Sequence, residues 1–289
     1  MATGMHQGAG RRLERSCTGD PDAGDWLRSA PAARGLERTE AFFAGRAFGP
    51  HRHDRYAVGV TLRGVQAFGY RGAARHCLPG QVFVLHPDER HDGRAGTGAG
   101  FRYRILYVDP AEIAEALEHR PLPFVGEAVG RHPGIAAAVG AAFAEPALAL
   151  DDLLRDRILL ALADALAAAD PSARPAARVT IDRAAVRRAR DCLDACLPSG
   201  IGAAELAAVA GLDRFVLARQ FRACLGTSPH RYLVMRRLDL VRRLVRDGLP
   251  LAAAALEAGF ADQSHMTRHF RRAYGLPPGR WTALSLPGR

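Results

Sequence analysis

Between about residues 39 and 109 the chain is built of short runs rich in β-branched, aromatic and apolar residues: Tyr56–Leu62, Val65–Tyr70, Gln81–Leu85 and Phe101–Val108. Arg63-Gly64, Arg71-Gly72, Pro79-Gly80 and a glycine-rich stretch from Gly93 to Gly100 separate them. Short strands so closely spaced predict an antiparallel barrel or sandwich. From about 110 to 170 the apolar spacing becomes helical. Asp109-Pro110 reads as an N-cap followed by proline at the first helical position, opening a helix over Ala111–His119. Leu153, Leu154, Ile158, Leu160 and Leu162 cover one broad face of a helix over Asp151–Ala169. That face can serve a homodimer or pack on its own barrel. Residues 170–178 hold two prolines and read as a linker. Beyond it come helices, with Gly211, Gly226, Gly248, Gly259 and Gly275 as stops and Asp213, Ser228-Pro229 and Asp262 as starts. The first 38 residues show no sustained period and read as a loose tail.

The chain has 289 residues, 48% of them hydrophobic, enough for two ordinary domains and too many for a disordered chain. No apolar run approaches the ~18 residues of a membrane span, and the N-terminus lacks a signal core. The five cysteines are scattered, without CxxC, so neither a disulfide framework nor a zinc knuckle is expected and a cytoplasmic location fits. The net charge of +10 is unevenly placed. Residues 1–178 carry 22 Arg against 21 acids, whereas residues 179–289 carry 18 Arg against 9. A basic half joined to a neutral one points to a polyanionic partner for the basic half. All 40 basic residues are Arg, which reads as compositional bias.

The basic half contains an internal repeat. Ala210-Gly211-Leu212, Arg219-x-Phe221-Arg222 and Gly226-x-x-Pro229 return as Ala258-Gly259-Phe260, Arg268-x-Phe270-Arg271 and Gly275-x-x-Pro278. The offset is 49 residues from Arg to Arg, Phe to Phe, Gly226 to Gly275 and Pro to Pro. Each copy is a short Ala-rich helix, a glycine turn and a second helix capped by Asp, the construction of a helix-turn-helix. Leu217 with Phe221, and Met266 with Phe270, stand at i, i+4 and face inward. Arg214, Phe215, Ala218, Arg219 and Arg222 then lie outward on one second helix. Gln263, Ser264, His265, Thr267 and Arg268 lie outward on the other. Gln, Arg and Thr are side chains that pair with base edges in the major groove. The helix between the copies, roughly 28 Å long, is of the order that separates two groove-reading units by one DNA turn.

The stretch from about 185 to 283, and above all Ala255–Pro278, resembles the DNA-binding domain of the AraC/XylS family of transcriptional regulators. The resemblance implies two helix-turn-helix units in adjacent major grooves of double-stranded DNA. It implies contacts from Phe215, Ala218 and Arg219, and from Gln263, Ser264, His265, Thr267 and Arg268. Ala218 stands where the family often has a polar side chain, and Pro250 where it usually has Ser or Thr.

Pro50-His51-Arg52-His53-Asp54-Arg55-Tyr56, Pro79-Gly80 and Pro87-Asp-Glu-Arg-His91 are similar to the cupin-type sensing domain of such regulators. The resemblance implies a small-molecule effector pocket with His51, His53, Tyr56, Glu89 and His91, and a divalent metal on His51, His53 and His91, with Glu89 or Asp54 completing the set. Alternate residues of an extended strand point the same way, as shared ligation by His51 and His53 requires. The Glu expected shortly after the paired histidines is missing.

The expectation is an α+β chain in two domains: a tail over 1–38, a cupin-like antiparallel barrel with following helices over 39–170, a linker over 171–178 and an all-α double helix-turn-helix domain over 179–289. It implies a non-enzymatic, ligand-responsive regulator, activator or repressor. The alternative is a metal-dependent cupin enzyme with a basic helical appendage.

Overall fold

A computed structural model describes residues 24–118, 120–171 and 181–285. The first 23 residues of the expected tail, His119, residues 172–178 of the expected linker, residues 179–180 and the last four residues lie outside the described residues.

Two antiparallel sheets face each other. Their strands are β1 (Trp26–Ser29), β2 (Leu36–Phe43), β3 (Arg46–His51), β4 (Tyr56–Gly64), β5 (Gln66–Tyr70), β6 (Ala73–Cys77), β7 (Val82–Leu85), β8 (His91–Ala95), β9 (Phe101–Val108) and β10 (Val129–Gly130). The larger sheet runs β1-β2-β9-β4-β7-β10 and the smaller β3-β8-β5-β6. Phe43, Phe68, Tyr70, Phe83, Phe101 and Tyr103 fill the space between them. The other face of the larger sheet, with Tyr56, Val58, Leu106 and Val108, packs under α1 (Pro110–Ala116), α2 (Pro133–Ala142) and α3 (Asp152–Ala168). Successive side chains point to opposite faces. Because both faces are covered, β4 and β7 read as nearly unbroken apolar runs.

The sheet domain begins earlier than residue 39. β1 lies inside the expected tail and pairs antiparallel with β2, Trp26 opposite Phe42. An edge strand takes its order from the neighbour it pairs with, so WLRS carries little periodic signal of its own. Asp109 differs too. It precedes α1 but makes no side-chain cap; its carboxylate pairs with Arg55 at 2.8 Å instead.

The second domain follows the expected order: α4 (Arg183–Ala195), α5 (Ala203–Ala210), α6 (Arg214–Leu225), α7 (Pro229–Arg246), α8 (Leu251–Glu257), α9 (Gln263–Tyr274) and α10 (Pro278–Ser285). Each repeat unit buries its own small core. Leu206, Leu217 and Phe221 sit in the first, Met266, Phe270 and Trp281 in the second. Asp213 caps α6 through the Phe215 and Val216 amides, and Asp262 caps α9 through His265 at 2.6 Å. Gly226 and Gly275 end the two helices at φ 67° and 69°, a left-handed conformation a side chain would strain.

Candidate functional site

The two second helices present their outer faces to solvent. On α6, Arg214, Phe215, Arg219 and Arg222 are exposed and Ala218 is half-buried. Phe215 is 60% exposed, and the Arg214 guanidinium lies 4.6 Å from its ring centre. On α9, Gln263, Ser264 and Arg268 are exposed, while His265 and Thr267 are half-buried. His265 packs against two aromatic rings. It meets Phe260 edge-on, and its Nε2 lies 3.0 Å from His269 Nε2. Burial and the neighbouring His265 lower the His269 pKa. The spacer α7 has 18 residues, about 27 Å at 1.5 Å per residue, a length of the same order as the ~34 Å of one DNA turn.

In the sheet domain the fold brings three of the five residues picked for ligand binding together. His51 ends β3 and pairs across the ladder with His91 on β8. Their rings are 4.2 Å apart, and His53 lies 4.8 Å from His91. All three are buried. Burial lowers each pKa, to about 4 for His91, so the imidazoles are neutral. Tyr107, which sequence patterns did not single out, closes one side with its ring 5.4 Å from His53. Glu89 points elsewhere, pairing with Arg71 at 2.9 Å and contacting Tyr70. Asp54 turns to Arg236 at 3.0 Å. Tyr56 belongs to the core under the helices, where its hydroxyl donates to the Pro123 carbonyl at 2.8 Å.

The histidines border a seam between the domains. Arg236, Asp239 and Arg242 stand at i, i+3 and i+6 on α7 and face the sheet domain. Arg55 pairs with Asp239 at 2.7 Å and with Glu37 at 3.3 Å. Arg242 forms an ion pair with Glu37, and the rings of Tyr274 and Trp281 lie 5.1 Å from its guanidinium. Tyr274 donates its hydroxyl to Asp239 at 3.1 Å. Desolvation works against the charged form of Asp239, but Arg55, Arg236 and Arg242 outweigh it and hold the carboxyl at about 2. None of this network was picked out from sequence. The spacing on α7 was its one visible signal, and reading it requires knowing what α7 faces.

Beside the network opens a cleft of about 490 Å³, lined from the sheet side by Arg52 and Arg90 and from the helical side by His230, Arg231, His269 and Arg272. Its lining contains no acid. Arg231 is paired, with Asp88.

A double-sheet domain joined to paired helix-turn-helix units defines a class of two-domain regulator, and comparisons with known proteins agree. The model of the AraC-like ligand binding domain matches residues 34–163, and that of a helix-turn-helix domain matches residues 206–283. The chain belongs to the AraC family of transcriptional regulators. It is 37% identical over 86 residues to the "Probable transcriptional regulator LumQ" of Photobacterium leiognathi, covering 29% of this chain and 35% of that protein. The chain thus spans about a third of that relative's length. A longer match, 23% identical over 223 residues, covers 76% of this chain and 81% of the HTH-type transcriptional regulator YbfI of Bacillus subtilis. The crystal structure of ToxT from Vibrio cholerae O395 shares the fold, with a TM-score of 0.62 at 11% identity over 89% of this chain and 100% of that one.

Proposed function

We propose that this chain is a cytoplasmic, sequence-specific DNA-binding transcription regulator whose two reading helices, α6 and α9, enter adjacent major grooves. The carrying observation is the repeated unit itself. Each copy buries its own core and leaves Arg219 or Arg268 exposed at the equivalent outer position. Among the described residues no helix is long and apolar enough to cross a membrane. The relatives named above are transcriptional regulators, which favours this reading over the enzyme alternative.

The sequence placed the effector inside the N-terminal barrel, but Phe68, Tyr70, Phe83 and Tyr103 fill the space between the sheets; on this reading it is instead a small anion held in the basic cleft at the domain seam. Unpaired arginines gain most from a carboxylate or phosphate, which accepts bidentate bonds from the guanidinium. A ToxT structure with a bound unsaturated fatty acid, also a carboxylate, gives a parallel in a protein of the same fold. A ligand there touches both domains, and it shifts their arrangement only by its difference in affinity for the two states. The outer face of α3, with Leu153 and Leu160 85% and 50% exposed beside Arg157 and Asp164, is the surface proposed for a homodimer. The sedimentation mass of the parent against Leu153→Glu checks it; equal monomer masses would remove it.

Selection from a pool of random duplexes by the full chain tests the main reading. Two short motifs centred about 10 base pairs apart are expected. Recovered affinity should fall with salt at a slope that counts phosphate contacts. Enrichment of no motif would overturn sequence reading. Repeating the binding with citrate and with pyrophosphate should change affinity for the parent and not for Arg90→Ala; an equal response of both proteins would exclude the cleft.

A further inference from the structure

We propose that His269 is a positioning residue through which an anion in the basic cleft selects the tautomer that His265 shows to the major groove. The proposal rests on reading the cleft as the effector site and α9 as a base-reading helix.

His269 belongs to the cleft and to the reading helix at once. It lines the cleft together with Arg52, Arg90, His230, Arg231 and Arg272. One helical turn earlier on the same face of α9 stands His265, in the first turn after the Asp262 cap. The N-terminal turn of a groove-entering helix is the part that meets base edges. The two rings are 4.8 Å apart at 67°, and their Nε2 atoms are 3.0 Å apart. Phe260 backs both rings, 5.6 Å from His265 and 5.9 Å from His269. Two nitrogens in a hydrogen bond share one proton: one donates and the other accepts through a bare lone pair. A neutral imidazole carries its proton on a single nitrogen, so the role of His265 at Nε2 fixes the opposite role at Nδ1, across the ring from this contact. When His269 donates, His265 Nδ1 is an N–H donor. When His265 donates, its Nδ1 is an acceptor.

The charges around His269 decide between the two. Its own helix supplies His265, Arg268 and Arg272. From α7 come His230 and Arg231, the latter paired with Asp88. The sheet domain brings Arg52, Arg90 and the neutral His51 to the same cleft, and α8 and α10 add nothing to its lining. Burial, then His265, Arg272, His230 and Arg268, hold the His269 pKa below its ordinary value. His269 is therefore neutral near pH 7 without a ligand, and both arrangements of the pair are open. A carboxylate or phosphate among these arginines offsets the cationic field and favours the charged imidazole, which takes a proton from solvent. An imidazolium donates from both nitrogens. His269 can then only donate to His265, and His265 presents N–H at Nδ1. That donor suits guanine O6 and N7, whereas the acceptor tautomer suits the adenine N6 amine. An anion in the cleft thus moves the base preference of α9 toward guanine without moving the helix.

The test follows the histidine rings of the full chain by heteronuclear NMR, which separates the two neutral tautomers from the imidazolium. The titration runs between about pH 5 and pH 8, in citrate and in sodium chloride of equal ionic strength. Citrate should raise the His269 pKa by about one unit, a tenfold gain in proton affinity, and fix His265 as the Nδ1–H tautomer. Arg90→Ala should lose that shift. Backbone amide shifts at Arg52 and Arg90 report binding itself. Citrate bound there with His269 unmoved overturns the coupling and leaves the cleft reading standing; no binding overturns both. Gel-shift titration then compares duplexes with guanine or adenine facing the first turn of α9, for the parent and His269→Gln. Glutamine still donates to His265 but never carries charge. Citrate should raise the guanine-to-adenine affinity ratio of the parent several-fold and leave that of His269→Gln unchanged. An equal rise in both proteins, or none in the parent, overturns the proposal. Should His269→Gln fail to fold, the NMR titration of the parent decides.

Discussion

Replacing Arg242 with alanine is expected to destabilise the chain by about 3–5 kcal/mol, the cost of stranding a buried charge by removing its partner. Arg242 is buried, pairs with Glu37 across the domain seam and is flanked by the rings of Tyr274 and Trp281. Its loss leaves the Glu37 carboxylate with Arg55 alone, in a setting where burial opposes its charge. Urea unfolding followed by fluorescence of the two tryptophans checks this. An unchanged midpoint would mean that the seam is open in solution. The double variant Arg242→Met with Glu37→Gln should recover much of the loss, since no uncompensated charge then remains buried. Acid provides an independent probe. Asp239 is held at about 2 in the folded chain, below its ordinary 3.8. A depressed carboxyl contributes stability that is complete above the unfolded value and is lost as pH falls through the folded one. The seam should therefore weaken between about pH 4 and pH 2. Asp54 acts in the opposite sense: burial raises its pKa despite Arg236, so its ionisation costs stability at higher pH.

Arg268→Ala is expected to weaken binding to the selected duplex by about 1–3 kcal/mol, roughly five- to 150-fold, and to relax preference at one base position. The side chain stands exposed on α9, whose opposite face is anchored by Met266 and Phe270. A rigid helix presents a guanidinium at a fixed depth in the groove, where its fork matches the two acceptors of guanine. Gel-shift titration of parent and variant on selected and scrambled duplexes reads the effect. Equal loss on both would make Arg268 a phosphate contact, and no loss would remove it from the interface. Arg222, near the end of α6, is expected to behave as the phosphate type, weakening both duplexes alike and flattening the salt slope.

The helix-turn-helix repeat was legible because its determinants are local. Asp213 and Asp262 cap helices within their own first turns, Gly226 and Gly275 stop them, and Leu217 and Phe221 find each other one turn apart. The strands were legible where both faces are buried, as in β4 and β9. They were not legible in β3 (RAFGPH) and β8 (HDGRA), which hold few β-prone residues and owe their order to each other. The histidine pair at 51 and 53 could be singled out by its spacing. That His91 joins them while Glu89 and Tyr56 turn away depends on β3–β8 register and on the competing partners Arg71 and Pro123.

By itself, then, the sequence determined the order of the helices in the second half, the strands with both faces buried, the helix-turn-helix repeat and the concentration of positive charge in the second half. These follow from short-range periodicity, capping and composition, which act within a turn or two of chain. Only the tertiary structure decided which charges are solvated and which are buried. Arg236, Asp239 and Arg242 look like ordinary surface residues of a spacer helix until the sheet domain is laid against them. Their energetics depend on desolvation and on partners up to 205 residues away, as in the Glu37–Arg242 pair, and neither quantity is written in any local pattern.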